Sequence, residues 1–116
     1  MSVIHANDIT PERISDTRTR YLAHTDHLMV VVWDFTGIQN EPDPPHHHPH
    51  EQVTFVAEGE LYFFRDGEPH HLRAGDLISV PSNVPHCVQT LSERVRLVDS
   101  FTPLRDDFLG EEQTPG

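Results

Sequence analysis

Short β-strand signals follow one another along most of this chain and alternate with turn residues. Between residues 17 and 109, β-branched and aromatic residues recur in short runs, and no long stretch has a helical period. Asp66-Gly67 is typical of a tight hairpin turn. Many short strands at spacings of about eight to twelve residues indicate an antiparallel sandwich or barrel. The sequence therefore predicts an all-β fold.

The predicted strands define one domain, residues 17–109. Residues 1–16 are expected to be an irregular lead-in with a short turn at residues 10–13, and residues 110–116 a disordered tail. A chain of 116 residues is long enough to bury one core without disulfide bonds. The strands are predicted at residues 17–23, 28–36, 52–57, 60–65, 69–73, 77–80, 86–91 and 94–102.

The net charge and the cysteine content restrict the classes of partner and the cellular compartment that fit this sequence. The formal net charge is −11, which argues against nucleic acid or an anionic membrane as a partner. Cys87 is the single cysteine of the sequence, so no internal disulfide forms, as is usual in a reducing compartment. The first residues contain no apolar run of signal-peptide length. We expect a cytoplasmic protein.

The segment LMVVVWDF, residues 28–35, is apolar on both faces of its predicted strand. A strand with this pattern is normally covered on both sides. We therefore expect a subunit interface here and a homodimer.

Four histidines are concentrated where a proline-rich loop runs into a strand. In the stretch PPHHHPHEQVTFVAEG, residues 44–59, the side chains of His46, His48 and Gln52 lie on one face of an extended chain. Imidazoles and an amide oxygen directed at one point favour a metal site. Histidine runs also occur in tags and solvated loops, but this run lies in mid-chain and leads into an apolar strand. We expect His50 to contribute to substrate binding.

Glu51 is the alternative to Gln52 as the fourth ligand. Parity favours Gln52, since Glu51 points the other way in a regular strand. Pro49 could break that alternation, so both residues stay open. Neutral ligands alone would leave the full 2+ charge on the metal, which favours an anionic, oxygen-rich ligand and polarisation of its oxygens.

Histidine, glycine and proline recur at a fixed spacing in two segments. The first contains His46, His48 and Gly59, and the second contains Gly75, Pro81 and His86. These positions resemble the two motifs of the cupin superfamily, which implies a double-stranded β-helix, or jelly-roll, barrel. The sequence departs from those motifs at Gln52, where glutamate is usual, at Asn83, where glycine is usual, and at Thr90, where asparagine is usual. Asparagine can take a left-handed turn conformation almost as glycine does.

The same resemblance implies that His86 is the third imidazole ligand. A lone histidine after a turn is otherwise expected to be a hydrogen-bonded core residue. With His86 included, the expected site holds one divalent transition metal ion, and nickel, zinc, manganese and iron all suit such ligands. The expected metal ligands are His46, His48, Gln52 and His86.

A narrower resemblance rests on three strings, HHHPHEQVTFVAEGE, PSNVPH and VDSFTPLRDDFL. They are similar to the KdgF-type cupins of pectin and alginate breakdown. That group has glutamine as the fourth ligand and a D-x-F-x3-R pattern after the second motif, which falls on Asp99, Phe101 and Arg105. The resemblance implies that Asp99 moves protons, that Arg105 binds the substrate carboxylate, and that Phe101 forms a wall for the sugar ring.

The residues themselves leave other roles open. A carboxylate among apolar neighbours needs a cation or a hydrogen bond, or else its pKa rises, so Asp99 could be a general acid or base or an ion-pair partner of Arg105. Arg105 could also be a surface residue of the acidic segment that follows it. Phe101 could simply be part of the core.

The function implied by the resemblance is metal-dependent conversion of 4,5-unsaturated monouronates, released by pectin or alginate lyases, to linear ketonised sugar acids. The expected partner is then a small anionic sugar acid. Two other functions stay open. One is a cupin dioxygenase acting on a small organic substrate, and the other is a non-catalytic sugar-binding or sensor protein.

Overall fold

The computed structural model describes residues 3–113, with side chains for residues 3–109. Within that part of the chain the regular structure is nine β-strands and two 3-10 helices, Ala6–Asp8 and Asp106–Gln113. None of its helices is long and apolar enough to cross a membrane. The strands are β1 (Glu12–Ser15), β2 (Arg18–His24), β3 (Met29–Thr36), β4 (Glu51–Glu58), β5 (Glu60–Arg65), β6 (Glu68–Arg73), β7 (Leu77–Val80), β8 (His86–Thr90) and β9 (Arg94–Thr102).

The strands form two antiparallel sheets whose inner faces enclose the core. The larger sheet has the order β1-β2-β3-β9-β4-β7 and the smaller one β6-β5-β8. Val56 and Leu97 of the larger sheet pack in one cluster with Leu61 and Phe63 of the smaller. Burying each such side chain contributes about 2–3 kcal/mol. This all-β barrel confirms the predicted fold class.

Alternating burial sets which side chains reach the interior. Along β4 every second residue is buried, so Gln52, Thr54 and Val56 face inward while their neighbours face outward. The same alternation holds along β9, where Asp99 and Phe101 are buried. Inward-facing polar groups on these two adjacent strands therefore share one interior space.

The predicted strands agree with the observed ones to within one residue at each end, and β5, β7 and β9 have the predicted bounds. The structure differs at residues 10–13, where a turn was expected and β1 begins instead. One helical turn has little stability of its own, whereas β1 gains backbone hydrogen bonds along β2 and an ion pair between Arg20 and Glu12 at 2.8 Å. Of the predicted disordered tail, residues 110–116, the last three lie outside the described residues, and its disorder stays a prediction.

Gly59 joins β4 of the larger sheet to β5 of the smaller one. Its φ is +89°, and a Cβ atom added there would lie 2.1 Å from the Arg94 carbonyl oxygen and 3.0 Å from Val95 Cα. Both neighbours are backbone atoms at the start of β9, so a change of side-chain rotamer cannot relieve the clash. The chain crosses between the sheets here only because this position lacks a side chain.

We predict that Gly59→Ala lowers the free energy of unfolding by about 3 kcal/mol, since the new methyl group adds a backbone clash to the strain of a positive φ. Gly67→Ala is the matched control, because Gly67 has a φ of +79° but no atom within 4 Å of an added Cβ. The control should cost about 1 kcal/mol through strain alone. Urea denaturation measures both values, and equal losses would contradict the close approach at Gly59.

Candidate metal centre

The proline-rich loop before β4 runs along the edge of β8. The backbone N–H of His46 donates to the His86 carbonyl at 3.0 Å, and the N–H of His86 donates back to the His46 carbonyl at 2.9 Å. Asp43 N–H donates to the Val88 carbonyl at 3.0 Å, which extends the contact. This short antiparallel bridge sets the two histidines, 40 positions apart in the numbering, directly opposite each other.

The turn before β8 fixes the other end of the loop. Asn83 takes a left-handed conformation with a φ of +65°, as expected for asparagine at this turn position. Its N–H donates to the His48 carbonyl at 2.7 Å, and the Ser82 hydroxyl donates to the Pro49 carbonyl at 2.7 Å. The backbone on both sides of His48 is therefore held in place.

His46, His48 and His86 form a compact cluster, with potential ligand nitrogens within 4.8 Å of one another. His86 donates its Nδ1–H to the Val84 carbonyl at 2.9 Å, and His48 donates its Nδ1–H to the His50 carbonyl at 3.1 Å. These bonds leave the Nε2 lone pairs free. His86 Nε2 is buried and has no hydrogen-bond partner, which is the state expected of a ligand prepared for a cation.

Gln52 faces this cluster and Glu51 does not. Gln52 is 5% exposed, whereas Glu51 is exposed on the opposite side of β4. Gln52 Oε1 lies 3.1 Å from His48 Nε2. Because both atoms present lone pairs when His48 is neutral, a cation between them would remove their repulsion. The strand thus keeps the parity that favours Gln52 over Glu51.

The surroundings favour the metal-binding form of the imidazoles. Burial lowers the pKa of His46, His48 and His86, and neighbouring imidazoles and the Arg105 charge lower it further. A neutral imidazole is the form that binds a metal. The residues present therefore fit a divalent transition metal ion.

A cavity of about 510 Å³ opens beside the cluster. Polar side chains from six parts of the chain line it, and five aromatic rings form part of the remaining wall. A volume of this size suits a small-molecule ligand. Of the residues predicted for the site, those on the cavity wall are His46, Gln52, His86, Asp99, Phe101 and Arg105.

Asp99 presents a buried carboxyl group to this cavity. It is 8% exposed and accepts a hydrogen bond from the Thr54 hydroxyl at 2.6 Å. Burial raises the pKa of Asp99 to about 6, although the Thr54 hydrogen bond and the Arg105 charge act in the opposite direction. A carboxyl group with such a pKa can both release and accept a proton near neutral pH.

Arg105 pairs with Asp107 and not with Asp99, so the ion pair considered from the sequence does not form. Its Nε and Nη2 donate to the two Asp107 oxygens at 3.0 and 2.7 Å. The guanidinium carbon lies 5.2 Å from the ring centroid of Phe101 and 4.1 Å from that of Phe108. The side chain is 12% exposed, so it is no ordinary surface arginine. Three of its five N–H groups remain available to an anion.

Phe101 lies on the cavity wall, whereas His50 contacts the segment that follows β9. Phe101 packs on Met29 and Val31 and also lines the cavity, so it is both core and wall. His50 donates its Nε2–H to the Leu104 carbonyl at 2.9 Å and thereby holds the segment that leads to Arg105. A direct contact of His50 with substrate stays a prediction.

Two polar residues of the site, Arg18 on the cavity wall and Thr54 behind Asp99, escaped the sequence reasoning. Arg18 of β2 lines the cavity, donates to Asp43 at 2.7 Å and lies 4.9 Å from the ring centroid of Phe35. Only the pairing of β2 with β3, which sets Arg18 opposite Phe35, shows that it points inward. Thr54, in contrast, lies two residues after Gln52 on the same strand. Strand alternation alone therefore predicts that it faces inward with Gln52.

Comparison with known proteins confirms the predicted resemblance. The family model described as "Cupin domain" matches residues 38–101. This chain belongs to the cupin family. The cupin is 34% identical over 106 residues to the pectin degradation protein KdgF of Dickeya dadantii strain 3937, a match that covers 89% of this chain and 94% of that protein.

Solved structures agree with this assignment. KdgF from Halomonas sp. superposes with a TM-score of 0.84 at 27% identity, covering 93% of this cupin and 98% of that chain. An RmlC-like cupin from Shewanella frigidimarina superposes with a TM-score of 0.81 at 31% identity, covering 90% and 93% of the two chains. The nine-stranded architecture of the described residues is therefore that of a cupin domain.

We predict that Asp99→Asn stabilises the metal-free protein at neutral pH. Because the folded pKa lies above the unfolded one, the native state holds this proton more tightly, and that stability is present below about pH 4 and lost as the pH rises to about 6. The advantage of the variant over the wild type should therefore grow by about 2–3 kcal/mol between pH 4.5 and 7.5. Chemical denaturation across this range measures it, with Asp26→Asn in the exposed β2–β3 turn as the matched control. A pH-independent difference would contradict the raised pKa.

Proposed function

We propose that this cupin binds one divalent transition metal ion through His46, His48, Gln52 and His86, and converts 4,5-unsaturated monouronates to linear ketonised sugar acids. The likeness to proteins named KdgF, one of them described as a pectin degradation protein, supports a role in uronate breakdown. The observation that carries the reaction type is the buried carboxyl of Asp99, which shares one cavity with the histidine cluster and Arg105.

The proposed reaction is an isomerisation that needs a group able to move a proton. Opening the ring removes a proton from the anomeric hydroxyl group and breaks the bond between C1 and the ring oxygen, which leaves an aldehyde at C1 and an enolate at C5. Adding a proton at C4 then gives the ketone, so atoms and electrons balance without a co-reactant. The Asp99 carboxyl, with a pKa of about 6, could accept the first proton and supply the second.

A bound divalent metal would polarise the substrate oxygens that it contacts. The four proposed ligands are neutral, so they would leave its charge available to an anionic sugar acid. Arg105 adds three free N–H donors on the cavity wall for the carboxylate. The Phe101 and Phe108 rings beneath its guanidinium exclude water from that side.

We predict that the metal-loaded cupin accelerates loss of the ultraviolet absorbance of the double bond in lyase-generated unsaturated monouronate. Asp99→Asn should lower kcat about 100-fold or more, since the substituted side chain cannot exchange the proton. Arg105→Lys should instead raise KM about tenfold, because lysine lacks the planar fork. Asp26→Asn serves as the control, and metal content is measured for every variant.

Absence of acceleration by the metal-loaded wild type would contradict the proposed reaction. Oxygen uptake with a small organic substrate would indicate a dioxygenase instead. Ligand binding that persists unchanged in Asp99→Asn, without turnover by the wild type, would indicate a sugar-binding or sensor protein.

We also propose that the cupin forms a homodimer through the outer face of its larger sheet. Val53 and Phe55 face outward from β4 and are 45% and 39% exposed, and Leu77 of β7 is 63% exposed. On this face an apolar row crosses five strands that lie about 4.8 Å apart, so the row is about 20 Å long. By strand register the row is Tyr21, Val32, Val98, Phe55 and Leu77.

We predict a wild-type solution mass twice the chain mass of 13.3 kDa. Phe55→Glu and Leu77→Glu should each yield monomers, because a charge buried at the interface is costly. Ile38→Glu is the matched control, since Ile38 is 57% exposed in the loop after β3. Sedimentation analysis measures the masses, and a monomeric wild type would contradict the dimer. The cytoplasmic location and the absence of nucleic-acid or membrane partners stay predictions.

A further inference from the structure

A close contact and two hydrogen bonds, in series, connect the histidine cluster to the Asp99 carboxyl group. Gln52 Oε1 lies 3.1 Å from His48 Nε2, and Gln52 Nε2 donates to the Thr54 hydroxyl at 2.9 Å. The Thr54 hydroxyl then donates to Asp99 Oδ1 at 2.6 Å. Thr54 is 0% exposed and is paired directly with Asp99 across β4 and β9.

The single hydroxyl proton of Thr54 fixes which group donates in each of the two hydrogen bonds. Because that proton goes to Asp99, the oxygen of Thr54 can only accept from Gln52. The nitrogen end of the Gln52 amide must therefore face Thr54, and its oxygen end must face the imidazoles. This orientation matters for a metal site, since the oxygen is the metal-ligating atom of an amide.

We infer that Thr54 is a positioning residue, which turns the Gln52 amide oxygen toward the metal centre and at the same time holds the Asp99 carboxyl on the cavity wall. The Asp99 part of this inference rests on the proposed function. The Gln52 part depends only on metal binding, so it can be tested without any substrate.

Replacing Thr54 by valine keeps the shape of the side chain and removes the hydroxyl group. The Gln52 amide then loses the acceptor that orients it, and its buried N–H is left without that partner. Outer partners of this kind typically change metal affinity 10–100-fold when they are removed. Serine retains a hydroxyl at the same atom position and should restore the orientation.

The experiment is a titration of the metal-stripped 116-residue cupin with Ni²⁺ and with Zn²⁺ in competition with a chelating dye. Thr54→Val and Thr54→Ala should each weaken metal binding about 10–100-fold, while Thr54→Ser should stay within about threefold of the wild type. Thermal unfolding of the metal-free variants shows which of them are folded. Wild-type affinity in a folded valine or alanine variant would overturn the inference, as would equal losses in all three.

Testing Thr54→Val in the Gln52→Glu variant separates loss of the amide orientation from general disruption of the site. In Gln52→Glu the side chain ends in two oxygens, so it can ligate whichever way it turns. Adding Thr54→Val to Gln52→Glu should therefore cost less than about threefold in metal affinity, and the same loss as in the wild-type background would overturn the inference. If the proposed reaction itself were wrong, the metal-loaded wild type would not act on unsaturated monouronate, but these affinity differences would remain.

Discussion

The register between β4 and β9 is the constraint on which the site depends. This pairing sets Gln52 opposite Phe101 and Thr54 opposite Asp99. Because side chains alternate between the faces of a strand, a slip of one residue would replace Gln52 and Thr54 in the interior by Glu51 and Val53. Such a slip would bury the Glu51 carboxylate and expose core side chains, so packing of the barrel and assembly of the site favour the same register.

A second pairing completes the site from the other sheet. The backbone bridge between His46 and His86 is part of a strand edge, so these imidazoles are positioned by main-chain hydrogen bonds and not by a free loop. His48 and His86 each donate an Nδ1–H to a carbonyl group, which fixes the tautomer with the proton on Nδ1 and the lone pair on Nε2. A cation would meet a cluster whose orientation is already fixed, which lowers the entropy cost of binding it.

The sequence predicted the parts of this protein that depend on local pattern. Strand alternation identified Gln52 as inward-facing, and turn chemistry identified the hairpin at Asp66-Gly67, where both residues have positive φ. The contact of Arg105 with Asp107 and the inward direction of Arg18 could not be predicted. Arg105 and Asp107 follow the last strand, where no strand alternation sets the direction of a side chain. Arg18 lies opposite Phe35 across β2 and β3 and bonds to Asp43 of a distant loop, and no residue pattern within one strand encodes that packing.

The central claim is that three imidazoles and one side-chain amide surround a single metal ion. X-ray absorption at the metal edge, measured on stoichiometrically loaded protein, tests it most directly. The account predicts one metal per chain with scattering from three imidazole rings plus oxygen ligands, and the loss of one ring in His86→Ala. A metal bound with fewer than three imidazoles, or a folded protein that takes up no metal, would contradict it.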